Sequence, residues 1–550
     1  MKRIFPILLT LALLSGCGGS LSSDPPPSYP IEHFPLSTPT DSSVPYTSHF
    51  PSETVIILSD EGIEVTGVNA GSVYTSNDII YYEDRTTYDS GNPYGEGQAN
   101  DRHSAVEAAA HTVVNITAPG AYRVSGKLSA GQIRVDLGKK ADETPDALVE
   151  LILENADITC TVAPVILFLN VYECDGNRSE DNAQPDVDTT AAGANLILQG
   201  NNTVSGSHVA KIFKDNDAEK KLWKQDGAIY SYMSMNIFGP GSLDLTADNE
   251  GLGSELHLTI NGGNIAIRSD NDGINTNEDG VSVTTINGGI LHIIAGLGAE
   301  GDGIDSNGYL VINGGTVVSS AHPASDAGLD SDLGSFIHGG TVIALGSSMD
   351  WAESDSGQVT MNLHFSKYHS GPLAVLREDG TVIFAYDPTM DETLGEMVRS
   401  YQGAILSCAN FHVAETYHVF LDGTTSGTET GGIYDVSTVT DYSGGTQMMY
   451  TGTDLTVGLP GGFRPDGNRG PGGKSPDGSD GKMATAPEGE TRPEGPPPDM
   501  PEGETPPNGF DGEKGHRPGG FGGNPSTGKG NPAFYMQDKV NFFTGLTPLN

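Results

Sequence analysis

The sequence predicts an all-β protein whose centre is a parallel β-solenoid. Three observations predict it. The phrase Ile260-Asn261-Gly262-Gly263 recurs as Ile286-Asn287-Gly288-Gly289, Ile312-Asn313-Gly314-Gly315 and Ile337-His338-Gly339-Gly340, at spacings of 26, 26 and 25 residues. A fixed period of this size is the mark of a structural repeat. Half a repeat away runs a second series: Gly251-Leu252-Gly253-Ser254-Glu255, Gly273-Ile274-Asn275-Thr276-Asn277, Gly303-Ile304-Asp305-Ser306-Asn307 and Gly328-Leu329-Asp330-Ser331-Asp332. Within each copy apolar and polar residues alternate, the period-2 pattern of a half-buried strand. Third, 74 Gly and 34 Pro stand against only 7% aromatic residues, a composition of turns and short strands rather than large helices.

Each repeat then divides into elements. After every Asn-Gly-Gly corner comes a short strand: Asn264-Ile265-Ala266-Ile267, Ile290-Leu291-His292-Ile293, Thr316-Val317-Val318 and Thr341-Val342-Ile343. Gly and Asn at the corners are expected to supply the positive φ angles of tight turns. Stacked turns about 4.8 Å apart would bury one face of every strand. Leucine-rich repeats share the period but require an L-x-x-L-x-L pattern that this chain lacks, and propeller blades require about 40 residues.

The flanks differ from the centre. Residues 1–17 read as a secretory signal, with Lys2 and Arg3 before a short apolar run. The run ends in Leu14-Ser15-Gly16-Cys17, which resembles the bacterial lipobox, so Cys17 is the expected lipidation site. A lipid there would anchor the chain to an extracytoplasmic membrane face, the outer membrane in a Gram-negative source. Residues 18–52 form a Ser/Pro/Thr linker, 53–350 the solenoid and 351–459 a closing β region. Residues 460–532 contain no Val, Ile or Leu and are dominated by Gly, Pro and Glu, so a disordered segment is expected. Residues 533–550 are apolar again and are expected to return to the fold. Cys160, Cys174 and Cys408 are odd in number; a Cys160–Cys174 disulfide is compatible with an oxidising compartment.

Charge narrows the partners. Lys plus Arg number 28 and Asp plus Glu 72, a net charge of −44. Such a chain repels phosphate backbones, so no nucleic-acid partner is expected. Stacking concentrates part of that charge. Asn275, Asp305 and Asp330 would form one column, Asn277, Asn307 and Asp332 a second, with Asp272 and Asp302 just before the Gly corners. Two carboxylates one rung apart repel by roughly 3 kcal/mol at an effective dielectric of 20. Hard oxygen donors without Cys or His select Ca²⁺. The candidate ligands are therefore Asp272, Asn275, Asp302, Asp305, Asn307, Asp330 and Asp332. The competing reading is that these residues cap turns and face water.

The run Asp226-Gly227-Ala228-Ile229-Tyr230-Ser231, Gly239-Pro240-Gly241-Ser242-Leu243 and the Asn-Gly-Gly series resemble a family of bacterial surface carbohydrate-binding proteins. Pro119-Gly120-Ala121-Tyr122 and Thr416-Tyr417-His418-Val419-Phe420 extend the resemblance over roughly residues 100–425. It implies a right-handed, pectate-lyase-like parallel β-helix with bound calcium and a polysaccharide ligand such as cellulose or polygalacturonate. The chain departs from the pattern at Gly253 and Glu255, which replace the Asn/Asp pair, and at the lysine-rich stretch 214–225. Arg268, Tyr230 and Tyr232 are candidate sugar-binding residues, with Trp223 and Trp351 as further stacking rings. No catalytic residue is assigned, because calcium-bound carboxylates are poor general acids and the His residues lack a triad context. A non-enzymatic, monomeric polysaccharide binder is the expected function. A polysaccharide lyase or hydrolase of the same fold and a structural adhesin stalk are the alternatives.

Overall fold

A computed structural model describes residues 43–82, 101–177, 179–213, 222–347, 349–390, 399–453 and 530–549. Cys17, the signal segment, most of the linker and nearly all of the Gly/Pro/Glu stretch lie outside these residues. The described chain is all-β, with large and mostly parallel sheets. Among its described residues no helix is long and apolar enough to cross a membrane.

The repeats stack as three ladders. In the first, the parallel strands are Thr112–Ile116, Gly131–Asp136, Ile166–Asn170, Gly227–Ser231, Glu250–Ser254, Ile274–Thr276, Ile304–Ser306 and Leu329–Ser331. Val73–Ser76 adds an antiparallel edge. The second runs Ala194–Gln199, Met235–Phe238, Leu258–Ile260, Val283–Ile286, Tyr309–Ile312 and Gly334–Ile337. The third runs Asn201–Gly206, Ser242–Ala247, Asn264–Ser269, Ile290–Ile294, Thr316–Ser320 and Thr341–Gly346. The strands Glu53–Leu58, Gly120–Leu128 and Val149–Thr159 begin the second and third ladders.

Register follows the repeat. Ile274 pairs with Ile304 and Ile304 with Leu329, and all three are fully buried. Ile260, Ile286, Ile312 and Ile337 form the matching stack on the second ladder, also with no exposed surface. Stacked aliphatic rows make one continuous core, each side chain contributing about 1.5–3 kcal/mol by leaving water.

The Asn-Gly-Gly corner works differently from expectation. Positive φ belongs to its second glycine, at +101° in Gly263, +89° in Gly289, +79° in Gly315 and +86° in Gly340. The asparagines do not adopt it. Instead Asn287 Nδ2 donates to Asn261 Oδ1 and Asn313 Nδ2 to Asn287 Oδ1, each at 2.9 Å. The corner is thus an amide ladder, with each carboxamide bonding the rung before it. His338 takes the next position and ends the series.

Three further findings adjust the domain outline. Tyr46 and Phe50, expected in the flexible spacer, pack with Phe238 against Ala121, Ile152 and Ile197. Just beside them, buried Glu150 accepts the backbone N–H of His49 at 2.7 Å. After Gly346 the chain reverses: Tyr401–Ser407 pairs antiparallel with both Thr341–Gly346 and Thr360–His369. Val540–Pro548 then adds in parallel to Thr360–His369, burying Phe543 and Leu546. The apolar C-terminal segment therefore does return to the fold. Cys160 and Cys174 are free thiols, as is Cys408, so the disulfide is not formed. Burial pushes the Cys160 thiol up to about 11.

One ion-paired histidine joins residues far apart in sequence. His208 Nδ1 lies 3.0 Å from Asp248 Oδ1, and Nε2 lies 3.7 Å from Asp101 Oδ1. Burial opposes its protonation, but the two carboxylates outweigh it and hold the pKa at about 10. The folded state therefore binds a proton that the unfolded chain releases above its ordinary 6.5. The contribution is complete below pH 6.5 and disappears as pH rises through 10. His208→Gln is expected to cost about 2 kcal/mol near neutral pH. Denaturant melts of both proteins should converge above pH 10; a constant difference would refute the assignment.

Candidate functional site

The site is an acidic stripe on the outer side of the first ladder. Residues before each Gly corner stand in register: Leu252 pairs with Ile274 and Ile274 with Ile304, which aligns Glu250, Asp272 and Asp302. The next column aligns Gly253, Asn275, Asp305 and Asp330. Glu250, Asp272 and Asn275 are buried, while Asp302, Asp305, Asn307 and Asp330 are partly exposed and Asp332 is exposed.

Part of the stripe is structural. Asp272 Oδ1 accepts the backbone N–H of Asp302 at 2.7 Å, and Asp302 Oδ1 accepts that of Ala327 at 2.5 Å. Asp326 Oδ2 accepts the N–H of Gly301 at 3.0 Å. Each carboxylate thus caps a neighbouring turn, as the competing reading of the sequence holds. Asn307 Nδ2 donates to the Asn277 carbonyl at 3.1 Å, a cap of the same kind.

Capping leaves oxygens over. Asn275 Nδ2 donates to Glu250 Oε1 at 3.0 Å and to Asp272 Oδ2 at 3.3 Å. Glu250 Oε2, Asn275 Oδ1 and Asn277 Oδ1 are buried without a hydrogen-bond partner. An unsatisfied buried polar atom costs about 1–3 kcal/mol. Charge adds to the cost. Burial pushes the Asp272 carboxyl up to about 7; the Asp302 N–H opposes the rise, and Asp326, Asp330 and Glu300 reinforce it. Asp302, Asp305 and Glu250 are held well above the ordinary carboxylate range, first by burial and then by neighbouring carboxylates: Asp330 and Asp272 act on Asp302 and Asp305, and Asp226 and Asp272 on Glu250. The donor set is all hard oxygen, which fits a hard cation. Among the described residues, however, no three His, Cys, Asp or Glu side chains are already arranged to hold a metal.

The sugar-stacking candidates are elsewhere than expected. Tyr230 is fully buried and Tyr232 is 7% exposed, so neither presents a ring face. The reason is Gly253: it pairs with Tyr230 and carries no side chain, so the ring packs against it, and a Cβ there would overlap the ring. From this position the Tyr230 hydroxyl donates to Glu255 and accepts from Asn277 Nδ2 at 3.1 Å. The Gly253/Glu255 departure is thus the socket of a buried tyrosine. Trp351 is also buried, at 4% exposure, and the side chain of Trp223 lies outside the described residues. Arg268 faces outward on the third ladder, where its guanidinium pairs with Asp244 at 2.7 Å. Glu250 and Asp226 were not singled out from the sequence. Both precede a Gly corner, as Asp272 and Asp302 do, and this acid-Gly pairing was the available signal.

An all-β protein with stacked parallel ladders and one acidic stripe is the class that fold and site define. Residues 110–364, which contain the stripe, match the family described as "Carbohydrate-binding domain-containing protein". A relative of the same description from Acetivibrio thermocellus is 30% identical over 158 residues, 28% of this chain. The chain spans 45% of that relative's length. Among solved structures, the polysaccharide lyase-like protein from C. thermocellum, as a gadolinium derivative, is 22% identical, with a TM-score of 0.30. That similarity covers 52% of this chain and 91% of the other.

Proposed function

We propose that this protein binds polysaccharide without cleaving it, on a right-handed parallel β-helix tethered to an extracytoplasmic membrane through lipid on Cys17. The observation that carries the binding reading is the family match, whose 110–364 span includes the acidic stripe and most of the three ladders. Calcium is part of the proposal. Asp272, Asp302, Asp305 and Asp330 would hold it, with Asn275, Asn307 and Asp332 at the rim. The unpartnered amide oxygens of Asn275 and Asn277 support this reading. A bound cation would neutralise the stripe and offer a contact to sugar hydroxyls or uronate groups. The chain's own residues supply the rest: the ladders hold the donors one rung apart, and the inter-rung caps orient the carboxylates.

The test is retention on insoluble cellulose and on cross-linked polygalacturonate, with and without Ca²⁺. Retention on either matrix supports the binder, and loss of retention in chelator supports the calcium part. No retention on either favours a stalk. Release of unsaturated oligosaccharide would overturn the non-enzymatic reading.

A further inference from the structure

The N-terminal end of the acidic stripe carries a cation of its own. Val209–Phe213 and Leu222–Gln225 pair as an antiparallel hairpin beside the first ladder. Lys224, near the hairpin's end, places Nζ 2.5 Å from Asp226 Oδ2. Asp226 is 6% and Glu250 3% exposed, and the Glu250 backbone N–H bonds the Asp226 carbonyl at 3.2 Å. Beyond them lies Asn275, 6% exposed, with its carbonyl oxygen unpartnered. The charge of Lys224 also reaches Asp305, two rungs further along.

We propose that Asp226, Glu250 and Asn275 form a cation site at the end of the stripe, and that Lys224 fills it as a tethered ammonium in place of a divalent ion. The field of the ammonium reaches past its ion-pair partner, favouring the charged forms of Glu250, Glu255 and Asp305. The site has the two properties a cation needs: buried hard oxygens, and one carboxylate oxygen, Glu250 Oε2, that no donor satisfies. Lys224 is itself 46% exposed at its side chain, so the hairpin brings the charge in from solvent and leaves the stem outside. The inference rests on the stripe being a cation-binding face, and not on calcium occupying the other rungs.

Calcium titration of the full chain by calorimetry, together with thermal melts, tests it. Lys224→Met is expected to bind one more Ca²⁺ per chain than the wild type. Its melting temperature in chelator should fall by about 2–4 °C and recover when Ca²⁺ is added. Lys224→Arg should match the wild type. So should Lys127→Met, which removes an exposed pair with Asp157. An unchanged stoichiometry in Lys224→Met overturns the inference. If the wild type binds no Ca²⁺ but Lys224→Met binds one, the inference stands and the calcium part of the proposed function falls. Should Lys224→Met not fold, the double variant with Glu250→Gln is expected to restore folding without the extra ion. Failure to do so would also overturn it.

Discussion

In chelator, the folded chain is expected to lose stability as the pH rises from 5 to 8, and millimolar Ca²⁺ is expected to reverse that loss. The direction follows from linkage. Asp272 is buried among Asp302, Asp305, Asp326, Asp330, Glu300 and Glu250, and its pKa stands near 7 against an ordinary 3.8. A raised carboxyl binds its proton more tightly in the folded state. Stability is therefore highest below the unfolded value and falls as pH climbs through the folded one. The full difference for Asp272 corresponds to about 4 kcal/mol before the surroundings relax. Cation binding removes the need for protons. At a hundredfold excess over its dissociation constant, one site adds about 2.7 kcal/mol. For a fold of this size the melting temperature should rise by about 5 °C at pH 8 and by much less at pH 5. Equal melts with and without Ca²⁺ at both pH values would remove calcium from the stripe.

The second large effect is expected from the inner side of the same strand. Ile304 is fully buried, with Ile274 and Leu329 as its rung neighbours. Ile304→Ala should cost about 2–5 kcal/mol, because stacked rungs leave little freedom for the cavity to collapse. Gly303→Ala should be comparably harmful for the opposite reason. Its new Cβ would overlap Ser319 Oγ on the third ladder and the Gly328 carbonyl at the next Gly corner. Asp332→Asn, exposed on the next rung, should stay within about 0.5 kcal/mol of the wild type. Urea midpoints for the three variants provide the comparison. A mild Ile304→Ala would mean that the ladder is not the core it is taken to be.

Much of this arrangement was legible in the sequence because a stacked repeat converts period into position. Residues that recur every 25 or so positions meet in space, so Ile274, Ile304 and Leu329 could be aligned by inspection, and Asn275, Asp305 and Asp330 with them. The alignment faded where the repeat changed length. The step from Leu252 to Ile274 is shorter than that from Ile274 to Ile304, and Glu250 was not singled out at the edge of that irregularity. The asparagine corners were placed correctly, but their amide ladder needed the inter-rung distance to be known.

Local patterning by itself determined the all-β class, the inward rows, the glycine corners and the column of acids. These depend on neighbours along the strand and on a regular stacking distance. Only the tertiary structure decided which outward residues are truly outside. Tyr230 and Trp351 look like stacking rings in sequence, yet one is buried against Gly253 and the other near Phe542. Tyr46 and Phe50 look like spacer, yet they close over Ile152 and Ile197. The Val540–Pro548 strand docks on Thr360–His369 across a long stretch of chain. Exposure on the outer face is set by segments distant in sequence, and periodicity carries no record of them. The same reason hid Lys224, whose charge reaches the acidic stripe only because a hairpin carries it there.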